Sequence, residues 1–262
     1  MANVTLRTLQ QLKAEGKKFT SLTAYDATPA HWVSAAGVEV ILVGDSLGMV
    51  VQGHTSTVPV TLADMVYHTR AVRRGITDSL LMADLPFMTA ATLERTLEAA
   101  TQLMQAGAEI VKIEGGAWLA PIIRVLSDNG IPVCAHLGLT PQSVNKFSGY
   151  RVQGKGDAGQ RLLDDAKALV DSGADMLLVE CIPADLATIL TANSGVPVIG
   201  IGAGADTDGQ VLVLYDMLGM NPGKNARFVK NFMPEAGSPQ AAIAAYDKAV
   251  RALTFPAAEH QF

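Results

Sequence analysis

The chain contains six short apolar runs, and each of them ends on a polar side chain or in a glycine turn. Runs of this kind have the length and composition of parallel strands that are buried on both faces. A charged group buried at the end of such a strand is costly unless it is paired or binds a metal. The runs are EVILVGD to Asp45, SLLMAD to Asp84, IVKIE to Glu114, PVCAH to His136, DMLLVE to Glu180 and VPVIGIGAG to Gly204. Because the carboxyl ends of all strands of a (β/α)8 barrel open onto one face, we expect these side chains to meet in one pocket.

Helical segments separate the apolar runs almost throughout, which is typical of a parallel sheet covered by helices. We predict the α/β class and, within it, a (β/α)8 TIM barrel with an extra N-terminal helix and a C-terminal helix, formed by residues 1–262 as a single domain. The N-terminal helix is expected from Thr5 to Glu15, before a first strand FTSLTAY. A helix is expected from Asp208 to Leu218, and a last strand from Arg227 to Asn231 would close the barrel.

Composition narrows the class of protein. Hydrophobic residues make up 49% of the chain and charged residues 17%, which favours a packed core over disorder. The net charge of -5 gives no basic footprint for nucleic acid, and no apolar stretch reaches the ~18 residues of a membrane span. Cys134 and Cys181 fall at predicted strand ends, so we expect no disulfide. Since no apolar signal segment opens the sequence, a cytoplasmic protein is predicted.

Asp45, Asp84 and Glu114 end three consecutive apolar runs, so their carboxylates should be neighbours. Their mutual repulsion would raise their pKa values unless a cation compensated. Oxygen ligands alone favour a hard cation such as Mg2+, which commonly uses one or two carboxylates together with waters and substrate oxygens. Zinc is disfavoured because the sequence has no cysteine–histidine cluster with ligand spacing. Taken singly, any of the three acids could equally be a helix N-cap or a loop hydrogen-bond acceptor.

Lys112, Glu180 and His136 complete the predicted pocket. Lys112 shares a strand face with Glu114, and an ion pair with an acid or with a substrate carboxylate is favoured over a Schiff base. Glu180 follows apolar neighbours and lies across the mouth from the three acids, which would favour a raised pKa and a role as general base. A salt bridge to a loop Lys or Arg is the alternative for Glu180. His136 fits a donor to the substrate, or a histidine satisfied by its own neighbours.

Two glycine-rich segments also fall at the predicted mouth. Gly200, Gly202 and Gly204 resemble the phosphate loops of barrel enzymes, and a tight turn with close backbone approach explains them equally well. The long loop 138–157 is typical of a lid, with three glycines as hinges, Gly149, Gly154 and Gly156.

A hard metal, a lysine and a separate carboxylate base suit chemistry beside a carbonyl group. We expect the metal to chelate the carboxylate and keto oxygen of a 2-oxo acid while the base removes the adjacent C–H proton. The resulting enolate is an oxyanion, which a metal stabilises. The residues leave open whether a bond is then made or broken.

Long strings of the sequence carry a more specific signal. They are TAYDA, VGDSLGMVVQGHTSTVPVTLADMVYHTRAVRRG, LMADLPFM, GAEIVKIEGG, VCAHLGLTPQSVNKFSGYRVQG, LLVECIP and GVPVIGIGAGADTDGQVLVLYDMLG. In this order, from about Phe19 to Phe232, they closely resemble the ketopantoate hydroxymethyltransferase family.

The resemblance implies transfer of a hydroxymethyl group from 5,10-methylenetetrahydrofolate to 3-methyl-2-oxobutanoate, through a Mg2+-stabilised enolate. The product is 2-dehydropantoate, a precursor in pantothenate biosynthesis. The resemblance also implies a homodecamer whose C-terminal helices pack between subunits. The predicted C-terminal helix has an apolar stripe that fits packing on its own barrel or on another subunit: Ile243, Tyr246, Val250 and Leu253.

The family's residue roles can be carried over motif by motif. The resemblance implies that Asp45 and Asp84 bind Mg2+ and that Glu114 belongs to the metal site. It implies that Glu180, in LLVEC, is the proton acceptor. The resemblance also implies that the substrate is contacted by Asp45, Ser46, Asp84 and Lys112. His136 is added to these predicted substrate contacts because of its position at a strand end. No motif identifies the residues that hold the folate.

Two alternatives stand beside this function. The phosphoenolpyruvate mutase and isocitrate lyase group uses metal–enolate chemistry to break bonds, but it relies on a cysteine in a mobile loop, and the loop 138–157 contains none. A barrel that senses a metabolite without catalysis is the other alternative. The intact acids and Lys112 argue against such a sensor. Metal-dependent turnover would separate an enzyme from a sensor.

Overall fold

The computed structural model describes residues 3–223 and 225–262, and it contains a closed barrel of eight parallel strands arranged in chain order. The strands are β1 Phe19–Thr23, β2 Val40–Val43, β3 Leu80–Asp84, β4 Ile110–Glu114, β5 Val133–Gly138, β6 Met176–Glu180, β7 Val198–Ile201 and β8 Gly209–Leu212. Pairing of β1 with β8 closes the barrel, with Phe19 opposite Gly209. The predicted TIM-barrel class is therefore confirmed.

Helices surround the barrel, and further helices precede the first strand and follow the last one. They are α1 Leu6–Ala14, α2 Ala27–Ala35, α3 Leu47–Val50, α4 Leu62–Arg73, α5 Leu93–Gln105, α6 Ala120–Asp128, α7 Asp157–Asp171, α8 Ala184–Asn193, α9 Leu214–Met217, α10 Met233–Ala236 and α11 Pro239–Arg251. A loop, residues 202–208, joins β7 to β8 without an intervening helix. Within the described residues no helix is long and apolar enough to cross a membrane.

Burial explains why the strands appear in the sequence as continuous apolar runs. Every residue of β1, β2, β3 and β4 is buried. A strand covered by helices on one face and by the barrel interior on the other has no solvent face to alternate with. The charged exceptions lie near the carboxyl ends of the strands. There Asp84 is opposite Lys112 on the neighbouring strand, and Glu114 is opposite His136.

The last strand lies elsewhere than predicted. β8 falls inside the segment 208–218, for which the sequence predicts a helix, and the segment 227–231 contains no strand. Both predictions are wrong. The run QVLVL is too short for its pattern to separate strand from helix. Pairing with β1 and β7 decides for a strand, and only the four-residue α9 remains of the predicted helix.

The helix α1 covers the amino-terminal end of the barrel. Leu9 is fully buried against the core, and the Lys13 ammonium lies 2.8 Å from the Asp208 carboxylate just before β8. The Val4 amide donates to the Asp78 carbonyl, at 2.7 Å, near the start of β3. The extra N-terminal helix therefore seals the end opposite to the predicted pocket.

The helix α11 packs on the barrel of its own chain. Ile243, Tyr246 and Val250 are buried there, and the Tyr246 hydroxyl lies 2.8 Å from the Gln210 carbonyl. Leu253 is 57% exposed and does not belong to the buried stripe. Of the two alternatives for this stripe, the structure therefore shows packing on its own barrel for the first three residues, and packing between subunits stays a prediction.

Candidate active site

A cavity of about 700 Å³ opens at the carboxyl ends of the strands. All of the site residues predicted from the sequence line it: Asp45, Ser46, Asp84, Lys112, Glu114, His136 and Glu180. The barrel thus brings together side chains that are far apart in the sequence, as the argument from parallel strands predicts.

Asp45 and Ser46 lie in the turn after β2 rather than on the strand itself. The Asp45 amide donates to Asp84 Oδ2 at 3.0 Å, which ties this turn to the end of β3. Ser46 Oγ lies 2.9 Å from the hydroxyl of Tyr25, a buried residue after β1. Tyr25 is a site residue that the sequence argument missed, although the string TAYDA contains it.

Lys112 is buried in β4 among acids, with 4% of its side chain exposed. Its ammonium lies 3.0 Å from Asp84 Oδ1 and 3.5 Å from Glu114 Oε1. Burial alone would lower the pKa of Lys112, but the surrounding carboxylates outweigh it and hold this pKa above its ordinary value. Because a protonated amine is not a nucleophile, this geometry favours the ion-pair role over a Schiff base.

His136 connects Glu180 to the acid cluster. Its Nδ1 lies 3.2 Å from Glu114 Oε1 and 3.1 Å from Lys112 Nζ, and its Nε2 lies 3.2 Å from Glu180 Oε2. Burial and the Lys112 charge would lower the pKa of His136, but the two glutamates outweigh them and raise it. Within the described residues the ion-pair contact of Glu180 is therefore to His136 rather than to a loop Lys or Arg.

The three acids of the cluster differ electrostatically. Burial raises the pKa of Asp45 well above its ordinary value, and the charges of Asp84 and Glu114 add to the effect. Burial also raises the pKa of Asp84, although Lys112 opposes this shift. For Glu114, burial acts in the same direction, but Lys112 and His136 prevail and hold its pKa below the ordinary value. A negative charge on either aspartate would therefore be compensated only incompletely by the protein's own cations.

The donor set fits a sparsely coordinated hard cation. Asp84 Oδ1 and Glu114 Oε1 are buried, and their ion-pair contacts within the described residues are to Lys112 and His136. The described residues contain no group of three or more His, Cys, Asp or Glu side chains arranged to hold a metal ion. Asp45 and Asp84 instead fit the Mg2+ pattern of one or two carboxylates completed by waters and substrate oxygens. Glu114 is already in contact with Lys112 and His136, and its place in the metal site stays a prediction.

Gln142 is a second site residue that the sequence argument missed. Its side-chain amide donates to Asp45 Oδ2 at 2.8 Å and to the Leu85 carbonyl at 2.9 Å. Its backbone amide donates to Glu114 Oε2 at 3.0 Å. The string LTPQS contains Gln142, but nothing in its spacing indicates that the loop after β5 reaches back to β2.

The loop that carries Gln142 also covers the cavity farther along the chain. Tyr150, Arg151 and Val152 line the cavity. The predicted hinge glycines all have positive φ: Gly149, Gly154 and Gly156. The backbone is thus of a kind that suits glycine, and the lid function stays a prediction.

The glycines in β7 and in the turn after it allow close packing. A Cβ atom on Gly200 would lie 2.6 Å from Thr207 Oγ1. Gly202 has a φ of +59°, and a Cβ atom there would lie 3.0 Å from the Phe228 ring. The structure therefore favours the explanation by close approach over a phosphate loop.

Comparison with known proteins identifies relatives over the full length. The family model described as ketopantoate hydroxymethyltransferase matches residues 3–258. The 3-methyl-2-oxobutanoate hydroxymethyltransferase of Stutzerimonas stutzeri is 60% identical over 264 residues, which cover 100% of this chain and 99% of that protein. The protein of the same name from Alcanivorax borkumensis is 60% identical over 261 residues, covering 99% and 100%.

Solved structures add a likeness of fold. A phosphonopyruvate hydrolase superposes with a TM-score of 0.62 at 14% identity, over 79% of this chain and 80% of that one. A 2,3-dimethylmalate lyase of the PEP mutase/isocitrate lyase superfamily gives 0.59 at 17% identity, over 84% of each chain. At these identities the likeness shows the barrel fold alone.

Proposed function

The chain belongs to the ketopantoate hydroxymethyltransferase family and is a hydroxymethyltransferase of that type, and from this premise we propose that it transfers a hydroxymethyl group from 5,10-methylenetetrahydrofolate to 3-methyl-2-oxobutanoate. The product is 2-dehydropantoate, for pantothenate biosynthesis. The observation that carries this proposal is one cavity that holds a protonated lysine, two incompletely compensated aspartates and a histidine-linked glutamate.

The 2-oxo acid binds in the acid-rich part of the cavity. Lys112 and Ser46 orient its carboxylate by charge and hydrogen bonding. Asp45 and Asp84 hold Mg2+, which when bound supplies the positive charge that stabilises a developing oxyanion. Burial, together with neighbouring carboxylates, raises the pKa values of the two aspartates, and a dication there would favour their charged forms.

Glu180 is the base that accepts the C3 proton of the 2-oxo acid. Its carboxylate ends β6 and lines the cavity, and 13% of its side chain is exposed there. Its ion-pair partner among the described residues is His136, whose Nε2 lies 3.2 Å away. Such a base contributes about 10²–10⁴-fold to the rate.

Loss of the proton leaves C3 nucleophilic, and a bond forms between C3 and the one-carbon unit of the donor. This unit arrives at the oxidation level of formaldehyde, water supplies the hydroxyl oxygen, and tetrahydrofolate leaves. The reaction therefore needs no oxidant or reductant.

Proton exchange at C3 tests the proposal. With enzyme and Mg2+ in D2O, but no folate, proton NMR of 3-methyl-2-oxobutanoate should show loss of the C3 signal, and EDTA should stop it. If exchange is absent, a repeat with tetrahydrofolate tests whether the donor must bind first. Absence of exchange in both experiments would contradict the proposed mechanism.

A further inference from the structure

The cavity at the barrel mouth has two chemically different parts. The acid cluster from β2 to β6 forms one part, which the proposed mechanism uses. The other part lies at the carboxyl ends of β7 and β8 and includes several apolar and aromatic side chains. We call it the aromatic half and define it by Ile201, Val211, Val213, Phe228 and Phe262.

The cavity is larger than a 2-oxo acid alone would fill. Volumes of ~300–1,000 Å³ take drug-sized ligands, and this cavity has about 700 Å³. A five-carbon 2-oxo acid is much smaller than that, and its polar groups are all recognised by the acid cluster. The aromatic half therefore stays unfilled when the 2-oxo acid is bound alone.

The aromatic wall is built by specific contacts. Gly202 has a φ of +59°, and a Cβ atom there would come within 3.0 Å of Phe228 and 3.2 Å of Phe262. The Arg227 guanidinium lies 5.4 Å from the centroid of the Phe262 ring, and the Ala184 amide donates to the Phe262 carbonyl at 2.9 Å. Glycine at position 202 thus lets two aromatic rings close against the turn after β7.

One acid lines the same cavity from the short helix after β8. Asp216 is half-buried, lines the cavity and accepts a hydrogen bond from the side chain of Asn221. Its burial raises its pKa, and the Asn221 bond opposes that shift. A carboxylate on an apolar wall pairs best with a ligand edge that presents adjacent N–H donors, because such charge-assisted bonds are bidentate.

We propose that the aromatic half binds the pterin ring of the one-carbon donor, with the ring against Phe228 and Phe262 and its amino-pyrimidinone edge on Asp216. This inference rests on the proposed function. A reduced pterin combines a flat apolar face with a 2-amino group beside a ring N–H, which are the two features that the aromatic half matches. Since both parts share one cavity, the donor's one-carbon unit reaches the C3 atom of the bound acid.

Binding of tetrahydrofolate, which has no carbon to transfer, tests the site by titration calorimetry on the full chain. Asp216→Asn keeps the size of the side chain but replaces one acceptor by a donor. We expect its tetrahydrofolate Kd and its KM for the donor to rise about 10- to 100-fold. Binding of 3-methyl-2-oxobutanoate should stay near that of the wild type, which shows that the variant is folded.

Asp171→Asn is the matched control, since Asp171 is 62% exposed at the end of α7, outside the cavity lining. It should bind tetrahydrofolate like the wild type. A Phe262→Leu variant, which removes the ring but keeps an apolar side chain, should also weaken tetrahydrofolate binding. Wild-type affinity in Asp216→Asn would overturn the pterin site while leaving the proposed function intact. A wild-type enzyme that neither exchanges the C3 proton nor transfers the one-carbon unit would overturn both.

Discussion

Single side chains at the barrel mouth are held by contacts that cross several strands. Gln142 reaches the Asp45 carboxylate after β2 and, through its backbone amide, the Glu114 carboxylate on β4. His136 likewise spans Glu114 and Glu180. Each residue in the site therefore depends on the position of at least one other, so substitutions should act on orientation as well as on chemistry.

The change Gln142→Ala tests this at the loop. It removes the side-chain bonds to Asp45 and to the Leu85 carbonyl, so the carboxylate proposed to hold Mg2+ becomes less well oriented. We expect kcat/KM to fall about 10- to 100-fold and half-maximal activation to need more Mg2+. Gln160→Ala, on the exposed face of α7, is the control. Unchanged kinetics and Mg2+ activation in Gln142→Ala would show that the loop contact is incidental.

Glu180→Gln separates proton removal from binding. The amide cannot accept the C3 proton, so exchange in D2O should slow by about 10²–10⁴-fold. Calorimetry should show that the 2-oxo acid still binds, because Lys112 and Ser46 are unchanged. Glu94→Gln, in the exposed first turn of α5, serves as the control. Exchange at the wild-type rate in Glu180→Gln would remove Glu180 as the base.

At the scale of elements, the last helix stabilises the barrel seam. β1 and β8 meet where the barrel closes, and the Tyr246 hydroxyl of α11 lies 3.0 Å from the Ser21 carbonyl and 2.8 Å from the Gln210 carbonyl. Lower on the same helix, Arg251 lies 2.7 Å from Glu39, which precedes β2. The helix α11 thus contacts both β1 and β8, the first and last strands, which are not adjacent in sequence.

Tyr246→Phe removes only the hydroxyl from this seam. It leaves buried carbonyl groups with one donor fewer, so the free energy of unfolding should fall by about 1–2 kcal/mol. Urea denaturation measures the change, with Tyr67→Phe as the control because Tyr67 is 70% exposed. Equal midpoints for the two variants would mean that the seam bond contributes nothing measurable.

At the scale of the whole molecule, the two ends of the barrel serve different purposes. The helix α1 and the Lys13–Asp208 ion pair seal the amino-terminal end. The carboxyl-terminal end stays open as the cavity. This division is general in barrel enzymes, whose chemistry and stability lie at opposite ends. The homodecamer and the cytoplasmic location stay predictions.

The thiol of Cys134 reports on the integrity of the whole barrel. It is fully buried in β5, and burial raises its pKa to about 12. Because the thiolate is the reactive form, a thiol reagent should modify Cys134 only when the barrel opens. In a Cys181→Ser variant, which leaves one thiol, labelling should be slow in buffer and immediate in denaturant. Fast labelling in buffer would contradict a tightly closed barrel.

Much of the fold and the site could be predicted from the sequence. Parallel strands buried on both faces require continuous apolar runs, so the runs that end at Asp84, Glu114 and Glu180 show both the strands and the face on which they finish. Residue types at those ends then indicate the chemistry, because charges at the end of a buried strand need a partner.

Other features were decided only by the tertiary structure. The run QVLVL becomes β8 because two neighbouring strands pair with it, and α11 is a seam helix because β1 and β8 need covering. The contacts of Gln142 and the bridge through His136 join segments that are distant in the chain. The local sequence pattern indicates which side chains of a segment are buried. Which other segment covers them depends on contacts between distant parts of the chain, and no short stretch of sequence encodes those contacts.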